Sequence, residues 1–255
     1  YTASGKKRKA DDYTPGGLNN RRPDRALIQY ANLVKRFFKD TVPIVLGGIE
    51  ASLRRICHYD FWSDSIRRSI LFDAKADFLV YGMGEKAVVE LAEALRNGDP
   101  VHTIRGLCTI SKEKITGFTE IPSFEEVRSD RHKLTEMFHT FYGNNDPLTA
   151  KGLFQKQDSR YLVQNPPQPY LTTEELDAVH DLVYARALHP YYRQFGDVKA
   201  LDTIQFSIPT HRGCYGECSF CAISVHQGRT VRWRSEKSIL QEARRIAEMP
   251  AFKGT

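Results

Sequence analysis

The chain has 255 residues, enough for one or two domains with a buried core. Hydrophobic residues make up 41% and aromatic residues 11%, too apolar for a disordered polymer, and no run reaches the roughly 18 to 20 apolar residues of a bilayer span. Lysine plus arginine exceed aspartate plus glutamate by 37 to 31, a surplus of +6 that suits a phosphate-bearing ligand or RNA without requiring either. The opening YTASGKKRKA has neither an initiator Met nor the apolar stretch of a secretory signal, so the expected location is cytoplasmic and the sequence reads as the middle of a longer protein.

Residues 1–24 are polar and basic, with Pro15, Gly16, Gly17, Asn19 and Asn20, and predict an irregular lead-in. Ala26, Leu27, Tyr30, Leu33, Val34, Phe37 and Phe38 then recur at three- and four-residue intervals, which predicts a helix over about 25–39. Two short apolar runs, Val42 to Leu46 and Asp77 to Tyr81, end in glycines (Gly47 and Gly48, Gly82 and Gly84) and each feeds a helix-like segment. The second of these helices carries Val88, Leu91, Ala92 and Leu95 on one stripe and ends at Asn97-Gly98. This alternation predicts an α/β fold with a parallel sheet, an incomplete Rossmann-like domain over 25–122 that lacks its first strand.

Ser123 with Glu126 forms a capping box ahead of a helix to about 139, and Gly143 to Pro147 make a loop. NPPQP at 165–169 is stiff and extended, and a domain boundary is expected near it. Thr172 with Glu175 opens another helix, to about Val183. The whole of 123–199 reads as a helical and Pro-rich connecting region. Thr203 to Ile208 (TIQFSI) alternates like a strand, and it places the next segment at the carboxyl end of a strand, where parallel α/β folds gather ligands.

That segment carries Cys214, Cys218 and Cys221, three of the five cysteines within eight residues. Without an export signal a disulfide framework is not expected, so Cys57 and Cys108 read as buried small hydrophobes and the triplet reads as a metal or cluster site. Thiolate is the ligand form, and soft sulfur suits zinc or iron–sulfur clusters. A structural zinc site wants a fourth ligand, here His211 or His226; a simple ferredoxin would need Cys57 or Cys108. Three ligands to a four-iron cluster instead leave one iron open to a reactant. Other features carry bland readings. Gly82-x-Gly84 is a strand-to-helix turn, Arg229, Arg232 and Arg234 around Trp233 form a solvated basic edge, and His58, His211 and His226 are not assigned.

The spacing Cys214-x3-Cys218-x2-Cys221, with Phe220 before the last cysteine, resembles the radical SAM signature. The blocks VPIVLGGIEASLRRICHYDFWSD, DFLVYGMGEKAVVEL, QNPPQPYLT and THRGCYGECSFCAISVHQGR together resemble the YgiQ-like family of radical SAM proteins. The resemblance implies a cobalamin-binding-like domain followed by the start of a radical SAM partial (β/α) barrel over 200–255, truncated after its first β/α unit at the helix that Ser235 caps, so that the fragment alone is expected to be inactive. It implies a 4Fe-4S cluster on Cys214, Cys218 and Cys221, S-adenosylmethionine (SAM) chelated to the fourth iron, and reductive cleavage to a 5′-deoxyadenosyl radical. Phe220 would present backbone near the adenine, and a reductant protein would be the electron donor. Bound cobalamin is not predicted, since no D-x-H-x-x-G pattern occurs in the chain. The substrate is undefined and no membrane partner is expected. Two alternatives stay open at this point: a non-catalytic zinc or iron–sulfur interaction module, and an RNA-modifying radical enzyme.

Overall fold

A six-stranded sheet organises most of the chain in the computed structural model, which describes residues 6–254. Contacts divide the chain into two compact units, the larger made of Leu27–Tyr170 with Gly213–Val231, the smaller of the residues before Leu27, Leu171–Arg212 and the residues from Arg232 onward. The change of unit at Tyr170 falls one residue after the NPPQP stretch. The first five residues of the irregular lead-in lie outside the described residues; the rest of it holds only turns and a short 3-10 segment, Pro15–Gly17.

In the larger unit, α1 (Ala26–Phe37) leads to strand β1 (Val45–Leu46) and helix α2 (Gly48–Leu53). An antiparallel hairpin of β2 (His58–Asp60) and β3 (Ser65–Arg67) and the short helix α3 (Ile70–Asp73) follow. Then β4 (Phe78–Val80) enters the sheet beside β1, Val45 opposite Phe78 and in parallel, as the strand–helix alternation predicts. Helix α4 (Glu85–Asn97) ends on Gly98, whose φ of 76° is the left-handed conformation that makes glycine the natural terminator. The α/β class therefore holds. The sheet is mixed beyond β4, because β5 (Leu107–Ser111) returns antiparallel to it and pairs on its other side with β8 (Arg160–Gln164), again antiparallel.

Helices α5 (Phe124–Ser129) and α6 (Arg131–Gly143) replace the single helix expected after Ser123. Asp130 ends one and caps the other, its side chain accepting from the His132 N–H at 2.8 Å, and this extended residue breaks the run. The Ser123–Glu126 capping box is formed as predicted. Strands β6 (Thr119–Ile121) and β7 (Leu153–Gln157) complete the order β1-β4-β5-β8-β7-β6. The stretch 153–164, read from sequence as connection, is thus a sheet hairpin. Its inward face shows why the reading failed: Gln155, Gln157 and Gln164 are fully buried, and polar residues at core positions hide the alternation. Each amide is satisfied, Gln155 accepting from the Cys57 N–H (2.9 Å) and Gln157 from the Ser69 N–H (3.0 Å). Around them Leu46, Ile70, Leu71, Leu79, Met137, Phe141 and Leu162 form the main core, and α4 packs Ala87 and Leu91 against Val80 and Leu107 in a second one.

In the smaller unit, α7 (Thr173–His180) starts on the predicted Thr172–Glu175 capping box. The strand expected over Thr203 to Ile208 is not formed; helix α8 (Leu201–Ile204) stands there. Six alternating residues without a partner strand cannot hold an extended conformation, and the segment closes local bonds instead, the Gln205 N–H to the Leu201 carbonyl (2.8 Å) and the Thr203 hydroxyl to the Ala200 carbonyl (2.9 Å). The strand before the cysteines is the two-residue β9 (His211–Arg212), antiparallel to β10 (Arg232–Trp233). Helix α10 (Glu236–Ala247) follows, its N-cap Ser235 accepting from the Ser238 N–H. Arg234 corrects part of the basic-edge reading, since its guanidinium is fully buried, ion-paired with Glu242 and hydrogen-bonded to the Ser238 hydroxyl at 2.8 Å. Glu242 also pairs with Arg186. Arg232 and Trp233 are exposed, as a solvated edge requires.

Candidate functional site

The cysteine loop runs from Gly213 to helix α9 (Ile223–Gln227), and Gly213 fixes its entry. That glycine has φ 87°, and a Cβ on it would lie 2.4 Å from the Thr230 carbonyl oxygen, so no other residue fits. Its N–H donates to Gln227 Oε1 (3.1 Å), and the Cys214 N–H donates to the Gly228 carbonyl (3.1 Å), which ties the two ends of the loop together. The Cys221 N–H donates to the Cys218 carbonyl at 2.9 Å, a turn that leads into α9.

All three sulfurs are free thiols; Cys214 and Cys221 are half-buried and Cys218 is exposed. A Cβ placed on Gly216 would lie 3.4 Å from Cys214 Sγ and 3.7 Å from Cys218 Sγ, so a side chain there would grow into the space the two sulfurs flank. The Gly216 N–H also points at Cys214 Sγ, 3.4 Å away. Cys221 does not join them at this point, and among the described residues no three His, Cys, Asp or Glu side chains form a ready ligand set for a metal ion. The donor set fits a cluster that gathers the loop on binding: three accessible soft ligands, a side-chain-free position between two of them, and a backbone donor to sulfur. Phe220 is 90% exposed, so its ring does not pack the loop, and His211 and His226 are not brought to the sulfurs as zinc ligands.

This loop is held in place by residues that the sequence reading left unassigned or gave a bland role. Glu217, at φ 42°, pairs with Arg229 and accepts a hydrogen bond from the Tyr142 hydroxyl (3.1 Å). Arg229 lies over the Tyr142 ring at 4.4 Å and donates to the Tyr142 carbonyl at 3.0 Å, a tethered position rather than a solvated edge. Three residues on, Asn145 donates to the Ser224 carbonyl of α9 (3.1 Å) and accepts from the Arg55 guanidinium (3.4 Å). Arg55 is fully buried between the Tyr81 and Phe141 rings, at 4.3 and 4.4 Å, and donates to Gln164 Oε1 at 2.9 Å. Desolvation lowers its pKa from the ordinary guanidinium range. The Gly82 turn approaches the same helix. Its N–H donates to the Ser52 hydroxyl (3.0 Å), and a Cβ on it would lie 3.5 Å from the His226 carbonyl oxygen. The contacts that Tyr142 and Asn145 make with the loop and α9 join residues 75 to 87 apart in sequence, too far for a local signal.

Among the described residues no helix is long and apolar enough to cross a membrane. UPF0313 proteins of Fusobacterium nucleatum and Thermotoga maritima are 54% and 52% identical to the chain over all of it, and each match covers 45% of the relative. One from Clostridium botulinum is 51% identical and is covered to 40%, so the chain spans less than half the length of the curated relatives it matches. A solved radical S-adenosylmethionine methyltransferase, TsrM from Kitasatospora setae, is similar over 94% of this chain and 33% of its own, at 18% identity and a TM-score of 0.46. The radical SAM N-terminal family model matches residues 1–207, four-fifths of the sequence and up to the threshold of the cysteine loop. By that match, and in keeping with its YgiQ-like sequence blocks, this chain belongs to the radical SAM N-terminal family.

Proposed function

We propose that this chain is part of a radical SAM enzyme in which Cys214, Cys218 and Cys221 hold a 4Fe-4S cluster. The observation that carries the reading is the pair of accessible sulfurs flanking Gly216 on a loop whose ends are tied. When bound, such a cluster supplies the electron that cleaves S-adenosylmethionine to methionine and a 5′-deoxyadenosyl radical, at an iron that has no protein ligand. The chain's own residues do the holding. The Gly216 N–H donates to Cys214 Sγ, Glu217 and Arg229 fix the loop tip on Tyr142, and Asn145 fixes α9 behind Cys221. The Phe220 backbone, next to the last ligand, is the candidate contact for the adenine. A reductant protein is the expected electron donor.

Anaerobic reconstitution with iron and sulfide tests the proposal on the full-length protein of which this chain is part. About four irons per chain, charge-transfer absorption of a thiolate-ligated cluster and release of 5′-deoxyadenosine with reductant are expected. Stoichiometric zinc in freshly purified protein, with no iron uptake, would replace this reading by the zinc interaction module.

A further inference from the structure

Arg55 carries a charge that its surroundings do not match. It is fully buried, and the groups it touches are neutral. Its Nε donates to Gln164 Oε1 at 2.9 Å, its terminal nitrogens donate to the Ser52 carbonyl and to Asn145 Oδ1, and the Tyr81 and Phe141 rings lie at 4.3 and 4.4 Å. None of the described ion pairs includes it. The acidic groups that act on it, the Tyr81 phenol and the Cys108 thiol, are held protonated by burial. A guanidinium stays protonated in a protein even where burial works against it, so a positive charge is left inside the core. A neutral side chain of similar volume would fill this space at lower cost.

Two short routes lead from this charge to α9, the helix that follows the last cysteine, and both lie within the larger unit. Asn145, whose Oδ1 accepts from Arg55 at 3.4 Å, donates from Nδ2 to the Ser224 carbonyl at 3.1 Å, three residues after Cys221. Ser52, whose carbonyl accepts from Arg55, takes the Gly82 N–H on its hydroxyl at 3.0 Å, and a Cβ on Gly82 would lie 3.5 Å from the His226 carbonyl oxygen. Between these two contacts Ser224 is buried and Val225 packs against the main core. The medium along both routes is therefore protein rather than water, and a charge acts more strongly through it than through solvent.

Under the proposed ligation, one electron passed from the reductant adds a negative charge to a centre that three thiolates already make anionic, and a fixed positive charge favours that state. We infer that Arg55 is a positioning residue for the cluster, holding α9 through Asn145 and raising the cluster's reduction potential with its uncompensated charge. This role depends on the cluster reading, so it is tested by a redox titration, followed by electron paramagnetic resonance, of the reconstituted full-length protein. Arg55→Met fills the space without the charge. Gln164→Glu leaves Arg55 in place and sets against its Nε a carboxylate that the guanidinium keeps ionised, which cancels the charge without emptying the core. At the solution potential that half-reduces the parent cluster, the ratio of reduced to oxidised cluster should fall at least about three-fold in each variant, a shift of about 28 mV at about 59 mV per ten-fold for one electron. A purely structural arginine predicts instead that Gln164→Glu keeps the parent midpoint whatever Arg55→Met does. That result overturns the inference while the cluster stands, and a parent protein that takes up no iron removes the cluster and this role together. Should Arg55→Met misfold, Gln164→Glu alone must still lower the potential.

Discussion

Cys57 and Cys108 have no exposed surface, whereas Cys214, Cys218 and Cys221 stand on a loop open to solvent, and the contrast separates two uses of one side chain. In the core, burial pushes the Cys57 and Cys108 thiols up to about 12, because a thiolate there would lose its water and gain no equivalent partner. Cys57 lies 3.2 Å from the Met137 sulfur and is contacted by the Gln155 amide; it packs as an apolar group. In the loop, the Gly216 N–H donates to Cys214 Sγ, Cys214 and Cys221 are half-buried, and Cys218 is exposed. Accessible sulfur is what a ligand role requires, and inaccessible sulfur is what a core requires.

The largest expected effect comes from chemical labelling, which could break this comparison outright. At pH 8 a thiol with pKa about 12 is thiolate in about one molecule in ten thousand, before burial slows the reagent further. Iodoacetamide should therefore add three labels to the native, iron-free protein and two more only after denaturant, with rates at least about a thousand-fold apart. Mass spectrometry of the labelled protein reads this directly. Equal rates for Cys108 and Cys218 would show that the sheet core opens far more readily than its packing implies.

A smaller effect sharpens the same contrast through pH. A raised thiol pKa favours the protonated group in the folded state, so the stability it carries is complete below the ordinary thiol value of 9.0. Above that pH the unfolded chain releases protons that the folded chain retains, and stability falls until pH passes about 12. Each thiol adds up to about 1.4 kcal/mol per pH unit to the decline between these limits. Cys57→Ala with Cys108→Ala should be less stable at pH 8, from lost packing, yet show a flatter decline in urea midpoints from pH 9 to 11. The decline should not vanish, because burial also raises the Tyr81 phenol. An unchanged slope would mean that the thiols titrate alike in both states.

The sequence made one side of this comparison easy to read and hid the support of the other. The cysteine spacing is local, and so are the capping boxes at Ser123 and Thr172, since each needs only residues three apart. The burial of Cys57 and Cys108 was legible in their isolation along the chain, each far from any other cysteine. What could not be read was any feature decided by distant partners. Gln155 and Gln157 look like surface residues until the N–H groups of Cys57 and Ser69 arrive to satisfy them. Arg55 looks like one arginine of a basic pair until Tyr81, Phe141 and Gln164 enclose it. Thr203 to Ile208 erred the other way, offering a strand pattern to which no neighbour responded.

The smallest effect concerns how the open loop keeps its shape without burial. Glu217 sits between two of the cysteines in the left-handed backbone region, which costs an ordinary residue on the order of 1 kcal/mol. Its pairing with Arg229 and Tyr142 offsets that cost, but the Glu217 and Arg229 side chains are 43% and 30% exposed, so the pair contributes at most about 1 kcal/mol. Glu217→Gln keeps an oxygen acceptor for the Tyr142 hydroxyl and loses the charge on Arg229; Glu217→Gly removes both contacts and also relieves the backbone. Under the proposed cluster ligation, both variants should bind iron to the same extent and unfold at nearly the same urea concentration. They should differ in how fast a chelator strips the iron: two- to five-fold faster than the parent for Gln, and faster still for Gly. If the glycine variant instead holds iron longest, backbone relief outweighs the tether, and the loop is shaped by its bound cluster rather than by Tyr142.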